Sequence, residues 1–585
     1  MEKGKFKFKF NIKKRILPVI LVSVLMPMIL FVAIPFEVYA NNMDELLCSL
    51  SSFLPLCVLF GFLLAAGTAL ILIFLPEKIY RVCYALVLAF SLLFFMQGTF
   101  LNFGMNSLGG DNLGSNSTHI GLKVLDAVIW IAVLAAAVAL SLIKDKKGII
   151  TIIAVILSIV VFATQIMTPL TSTIKHTDVF MSRDERLAKD DGDFVNEVLT
   201  SQNLTSVATE RNIFYFCIDR FDEYFAETAK EVNPEIYDNL DGFTWFQDNL
   251  SLYGHTFPAV ASMLTETPMD LQTQHRKSYL DTVYADNKTL SVLNDNGYSI
   301  NLFTKLYYAY NTAYTLPDYV ENVSATKRTK TTQPAKLVNC MVSTAAYRCL
   351  PLFFKDWIYG VETRKFNNCV EMLGENGYYG YNSENETVYR QAARAEFEIK
   401  ESGKNFSFIH VNGCHDITLD YISSKVSAKQ KREIAASVQS GINVVNEYIR
   451  VLKEKGLYKD ATIIITGDHP DPIDDTSAPE GAKLTALFFK RSGDEGTPVT
   501  PSLAPVAHEN VWATIFQSEN ITRENNGVGL FDIDEYDASR ERQYIWHSYS
   551  GNKAVEYIYE IKGVGTDFNN WKLIEKNPFN RSKMN

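Results

Sequence analysis

The sequence predicts a multi-span α-helical membrane domain followed by an α/β domain with a mostly parallel central sheet and a small antiparallel carboxy-terminal extension. Three observations predict it. The stretches 16–36, 46–76, 82–110, 127–143 and 148–174 carry no charged residue, and nothing comparable follows Ile174. From Asn212 onward, short apolar runs alternate with helix-period segments, the pattern of a sheet whose crossovers are helices. The tail from Glu541 is rich in aromatic residues and reads as two or three antiparallel strands.

A bilayer core about 30 Å thick takes about 20 apolar residues in helical form, which places spans at 16–36, 53–75, 82–103, 126–143 and 149–170. Lys and Arg flank the cytoplasmic ends of spans. The basic segment 1–15 and the loops 76–81 and 144–147 therefore belong inside, and five spans starting inside put everything after Thr171 outside. Val38-Tyr39-Ala40 before Asn41 also has the small-residue pattern of a signal-peptidase site. Cleavage there would leave four spans and the same outside carboxy-terminal part.

The anchor, 1–175, is followed by a polar, poorly periodic linker at 176–210. Its presence explains how 585 residues with 47% hydrophobic and 21% charged residues average to a mean hydropathy of −0.01. A net charge of −10 argues against nucleic acid as a partner, because duplex binding draws on basic surface. The eight cysteines show no metal-binding spacing, and a Cys340–Cys349 bridge is one pairing open to an exported domain.

Over 211–540 the buried runs are 212–218, 298–304, 405–411, 461–467 and 484–490, with helices at 257–265, 384–402 and 428–455 between them. Ligands of open α/β sheets bind beyond the carboxyl ends of strands. Asp219-Arg220 follows the first run, Asn412-Gly413-Cys414-His415-Asp416 the third, and Asp468-His469 the fourth. Asp after a strand is often only a turn or cap residue. Two carboxylates and two imidazoles delivered by three strands to one sheet edge instead suit a divalent cation, with Mn²⁺ first among Mn²⁺, Mg²⁺ and Zn²⁺. Thr256 stands before a helix with Pro258 near its start and reads as an N-cap whose hydroxyl faces a helix end suited to phosphate or sulfate oxygens.

These residues carry a resemblance. The segment 212–220 is similar to the first strand and metal acid of the sulfatase-like, alkaline-phosphatase superfamily, and 256–265 to its nucleophile helix. Asn296-Gly297-Tyr298, 408–416, Gly467-Asp468-His469 and 505–516 resemble later motifs in the same order. With five amino-terminal spans, the chain most resembles the branch of lipoteichoic-acid synthases and phosphoethanolamine transferases. The resemblance implies an alkaline-phosphatase-like fold. It implies Thr256 as nucleophile and metal ligand, Asp219, Asp468 and His469 as the remaining ligands, and His415 on the transferred phosphate or leaving group.

The sequence departs from classical sulfatases: 256–260 lacks both the convertible Cys or Ser and the Arg of their motif, and Arg220 replaces a second acid. The Trp-x-Arg of glycerol-phosphate polymerases has no counterpart in 302–314, where Lys305, Tyr307, Tyr308 or Tyr310 are the substitutes. Arg220, Lys305 and His508 are further substrate-binding candidates, and His255 is weighed against a packing role. Trp546 and His547 in the tail are candidates for the border of the acceptor site.

The expected function is extracellular transfer of a phospho-alcohol head group, of phosphoglycerol or phosphoethanolamine type, through phospho-Thr256. The donor is a membrane lipid and the acceptor a cell-envelope glycan or glycolipid, at the plasma membrane. A metal-dependent phosphatase, phosphodiesterase or sulfatase-like hydrolase of the same fold is the alternative. An inactive polymer-binding domain is the third reading, and it predicts a broken nucleophile or metal set.

Overall fold

The structure, a computed structural model, describes residues 12–40, 46, 48–102, 120–143, 147–167, 170–171, 197–285, 287–305, 316–355, 365–366, 369–400, 403–415, 417, 426–471, 479, 483–550 and 553–580. The chain forms two compact units. The first comprises residues 1–192 together with 327–372, and the second comprises 193–326 together with 373–585. Residues 327–372 fall inside the segment 211–540 that the sequence assigns to the exported domain. Their grouping with the anchor is a departure whose physical reason lies in what their helix packs on.

In the first unit, α1 (Ile12–Met28) runs through a π-helical turn (Ile29–Ala33) into α2 (Ile34–Ala40). Next come α3 (Leu54–Phe74), α4 (Glu77–Met96) with a π-helical continuation to Leu101, α5 (Ile120–Leu142), and α6 (Lys147–Phe162) continued by Ala163–Met167. Four described helices are long and apolar enough to cross a membrane: Arg15–Ala40, Leu54–Phe74, Glu77–Leu101 and Ile120–Leu142. The fifth expected span, 149–170, overlaps α6 and its π-helical continuation, but the apolar helix described there, Ile152–Val161, is shorter than those four. Val38, Tyr39 and Ala40 of the cleavage-like sequence are helical and buried.

The helix Pro334–Cys349 of the insert lays Leu337, Val338, Met341 and Ala345 into the same apolar cluster as Val22, Ile29, Tyr39, Cys57 and Leu88. An amphipathic helix needs an apolar partner for its stripe, and here the membrane helices supply it. Polar contacts complete the docking. Arg348 Nη2 donates to Glu37 Oε1 at 3.0 Å and to the Gly98 carbonyl at 3.2 Å, and Asn102 Nδ2 donates to the Arg348 carbonyl at 3.1 Å. The Leu352 amide donates to Asp126 Oδ2 at 2.8 Å. Cys340 and Cys349 lie on this one helix, nine residues apart, so their Cα atoms are separated by about 13 Å of helical rise, beyond the roughly 7 Å a disulfide spans. The bridge between them is ruled out.

The second unit is built on a seven-stranded sheet. Its strands are β1 (Arg211–Ile218), β2 (Thr244–Phe246), β3 (Tyr298–Phe303), β4 (Lys404–Val411), β5 (Ala461–Thr466), β6 (Leu487–Lys490) and β7 (Thr500–Ser502), in the order β7-β2-β6-β5-β1-β4-β3. β5, β1, β4 and β3 are mutually parallel, and β6 alone runs against the others. This is the mostly parallel sheet expected. β1 and β5 are buried on both faces, Phe214 and Phe216 packing on one side and Tyr215 and Cys217 on the other, which is why their sequences read as unbroken apolar runs.

Helices cover both faces. The best resolved in sequence is Ala428–Glu454, opened by a capping box of Ser427 and Gln430. The helix expected over 384–402 ends at Arg394, and Glu398–Lys400 is instead a short strand. The tail forms three antiparallel strands, β8 (Glu541–Ser550), β9 (Lys553–Lys562) and β10 (Trp571–Asn580). Arg542 pins this sheet to the core with bonds to the Asp248 and Val506 carbonyls, both 2.8 Å, and a fully buried ion pair to Asp248 at 3.0 Å.

Candidate active site

The parallel strands β1, β4 and β5 end together, and the loops leaving them carry the chemistry. β1 stops at Ile218, and the Asp219 amide donates to the Val411 carbonyl of β4 at 3.0 Å. The Cys414 amide in turn donates to the Asp219 carbonyl at 2.8 Å. This tight join needs Gly413: its φ is +54°, and a Cβ there would stand 2.6 Å from the Asp219 nitrogen. Asp219 is thereby fixed at the strand end with its carboxylate buried.

Asp468 and His469 follow β5. Asp468 Oδ1 accepts the Arg220 amide at 2.9 Å. His469 Nδ1 donates to the Pro470 carbonyl at 2.8 Å, an arrangement that fixes the tautomer and leaves Nε2 with its lone pair. That nitrogen is 3.7 Å from Asp219 Oδ1, 3.7 Å from Asp468 Oδ2 and 3.2 Å from Thr256 Oγ1. Thr256 opens the helix Thr256–Thr265, α8 in chain order after α7 (Glu223–Val232). Phe257 has extended backbone angles, so the regular turns start beyond it. The hydroxyl expected to cap that helix is hydrogen-bonded to His469 instead.

His410 completes the cluster. It lies inside β4, where its Nδ1 is 3.0 Å from Thr304 Oγ1 and its Nε2 is 3.6 Å from Asp219 Oδ2. Ligand atoms of Asp219, His410 and Asp468 all lie within 4.8 Å of one another, and all three residues are buried. Burial raises the Asp219 carboxyl, but the His410 ring beside it and the nearby His415 and His469 rings overcome it and hold the group below the usual carboxylate range. Asp468 is raised by burial and by the charge of Asp219.

Two carboxylates forced together in a dry site repel, and a cation between them is the direct remedy. Asp219 Oδ1 and Asp468 Oδ2 are buried without a hydrogen-bond partner among the described residues. The residues therefore fit a divalent ion: oxygen and imidazole donors, no thiolate, and a histidine whose second nitrogen is already anchored.

The other expected residues are placed as follows. His415 is half-buried at the mouth of this cluster, its carbonyl accepting from Arg220 Nη1 at 3.1 Å. Arg220, itself at a left-handed φ of +58°, also donates to the Ile417 carbonyl and, through Nε at 2.6 Å, to Asp471. Its guanidinium thus braces the His415 loop. Lys305 is half-buried, Nζ 3.4 Å from Asn412 Oδ1. His508 is buried, its Nε2 3.1 Å from Thr466 Oγ1, and burial pushes its pKa down to about 3. Tyr307, Tyr308, Tyr310 and Asp416 lie outside the described residues.

His410 falls inside the segment 408–416 that resembles a superfamily motif, but the sequence reading assigned it no role. The signal available was an imidazole on a strand buried on both faces. It also left open what the tail does at the site. His255 stacks on Trp546 with ring centroids 4.5 Å apart, its Nε2 is 2.9 Å from the His547 carbonyl, and its ring lies 6.3 Å from that of His469. A Cβ on Gly254 would strike the Trp546 ring at 2.4 Å, so glycine is what lets β8 approach the Thr256 segment.

No protein-family profile matches the chain, and no curated protein matches it in sequence. Among solved structures it is similar to a phosphonate monoester hydrolase from Silicibacter pomeroyi, at 12% identity and a TM-score of 0.36, covering 63% of this chain and 89% of that one. It is similar also to a protein in the alkaline phosphatase superfamily from Vibrio parahaemolyticus, at 9% identity and a TM-score of 0.31 (65% and 85% covered). A third is a 2-O glycosaminoglycan sulfatase, at 10% identity and a TM-score of 0.35 (64% and 86% covered). Likenesses this distant carry no argument about chemistry, which rests on the site itself.

Proposed function

We propose that the chain is a membrane-anchored, extracellular phosphotransferase that moves a phospho-alcohol head group from a lipid onto Thr256 and then onto a cell-envelope glycan or glycolipid. The observation that carries this reading is the Thr256 hydroxyl 3.2 Å from His469 Nε2, beside two buried carboxylates with unsatisfied oxygens. Asp219, Asp468, His469 and Thr256 would hold the cation, with His410 adjacent, and Mn²⁺ suits the donor set. Bound there, a divalent ion offsets the paired carboxylates, lowers the pKa of the hydroxyl and draws charge from phosphoryl oxygens.

The chain's own residues account for the remaining steps. Thr256 Oγ, its hydroxyl proton passing to water, bonds to phosphorus as the bond to the lipid alcohol breaks, and the leaving oxygen takes a proton from His415. In the second half, the acceptor hydroxyl gives its proton to His415 and its oxygen bonds to phosphorus as Thr256 Oγ leaves and regains a proton from water. Arg220 keeps the His415 loop in register with Asp219.

Orientation is supported by parity. Glu37, Gly98, Asn102 and Asp126 belong to the end of the first span, the end of the third and the start of the fourth, which share one side of the bilayer. At the other side Arg15 donates to the Leu75 carbonyl at 2.8 Å, near the basic loop 76–81. The insert 327–372 binds the first set. A chain leaving α5 on the basic side reaches that set only if α6 crosses, and the basic side is the cytoplasmic one.

The test uses the full chain in vesicles of phosphatidylglycerol and phosphatidylethanolamine with labelled head groups and Mn²⁺. A phosphoglycerol or phosphoethanolamine mass on the Thr256 peptide, with transfer to an added glycolipid, is expected. Release of free head group without transfer would make the protein a hydrolase, and undiminished turnover by Thr256→Ala would overturn the site.

A further inference from the structure

We infer that the short helix Leu352–Lys355 of the insert is seated in the lipid interface, with Phe353 and Phe354 entering the boundary between head groups and acyl chains. This rests on the reading that the first unit crosses a bilayer.

The helix is inside-out for an aqueous surface. Leu352 and Lys355 are buried, at 1% and 5% exposure, whereas Phe353 and Phe354 are 41% and 46% exposed. A helix facing water does the reverse, because burying an amine and exposing two phenyl rings is unfavourable on both counts. Here the lysine is satisfied inside: its Nζ donates to Asn102 Oδ1 and, at 3.3 Å, to the Arg348 carbonyl. The outward face is then purely aromatic, as suits a face that meets lipid.

The level agrees. The Leu352 amide is bonded to Asp126, three residues beyond Lys123 and at the start of the fourth span, which is where an interfacial helix lies. The surrounding surface of α5 is apolar and open: Ile120, Val124, Leu125 and Val128 are 69%, 50%, 48% and 55% exposed. The occupant that covers this band is lipid, and Phe353 and Phe354 extend the band onto the insert. The catalytic chain thus carries its own contact with the lipid surface.

Photo-crosslinking on the full chain tests this. Phe353→p-benzoylphenylalanine and, separately, Phe354→p-benzoylphenylalanine are placed in vesicles of phosphatidylglycerol and phosphatidylethanolamine and irradiated, and the modified peptide is weighed. A gain of one phospholipid mass is expected at either position, as at Leu63 of α3 (56% exposed), and none at Tyr536 of the second unit (59% exposed). Lipid adducts at Leu63 with none at 353 or 354, or protein adducts there instead, would overturn the inference alone. No lipid adduct at Leu63 would overturn the membrane reading and this inference with it.

Discussion

In the first unit Glu37 faces Arg348 at 3.0 Å, Asp126 accepts the Leu352 amide, and Lys355 is held by Asn102 and a carbonyl. In the second, Asp219 and Asp468 are buried side by side, each with an oxygen that no described group satisfies. Both clusters take charge out of water, which costs several kcal/mol per ion unless a partner offsets it. In the first each acid meets a donor, although Asp126 Oδ1 is also left without a hydrogen-bond partner among the described residues, and the cluster holds an insert onto membrane helices. The second leaves its partner to be supplied from outside. What sets the second cluster apart is two buried carboxylates facing each other, not burial or one unsatisfied oxygen by itself.

The comparison breaks most visibly at the nucleophile. Thr256→Ala should lower head-group transfer by on the order of 10⁴-fold or more while leaving the melting temperature in place, read by mass spectrometry of labelled lipid products. Next, Asp468→Asn should abolish metal binding by calorimetry and cut activity by at least about 10²-fold. The same substitution should raise the melting temperature of the metal-free protein, because one of two repelling carboxylates is gone and the Arg220 amide keeps its acceptor. A lower melting temperature would mean that the cluster is a structural network.

The anchor cluster should respond in the opposite sense. Arg348→Met strands Glu37 and should destabilise the first unit by about 3 kcal/mol. Adding Glu37→Gln should recover part of that loss in thermal melts of the lipid-embedded protein. The last effect concerns pH. His508 is neutral when folded, with its pKa depressed by burial from 6.5 to about 3, so below 6.5 the unfolded chain binds the extra proton. Stability should therefore be intact above that value and fall by up to about 1.4 kcal/mol per pH unit as pH drops toward 3. His508→Gln should flatten that slope in denaturant titrations.

Much of this was legible in the residue order. Asp219, Asp468 and His469 announce themselves because strands buried on both faces end abruptly at a polar residue, and the sheet brings those ends together. His410 was hidden because it sits within such a run, where an imidazole reads as packing until Thr304 is seen taking its Nδ1. The helix Pro334–Cys349 shows an ordinary amphipathic period, and a period tells how wide an apolar stripe is, not which surface it will meet. Its assignment to the anchor needed three dimensions. The hydroxyl of Thr256 faces His469 rather than the backbone amides it was expected to cap.

The insert also bears on how the second unit could be released from a membrane. The chain passes between its two units at 192/193, 326/327 and 372/373. A protein on a single stalk is shed by one proteolytic cut. A cut between residues 176 and 192 here would sever one connection of three and leave residues 327–372 embedded among the membrane helices, so the clipped catalytic part would still sediment with membranes and leave them only when detergent is added.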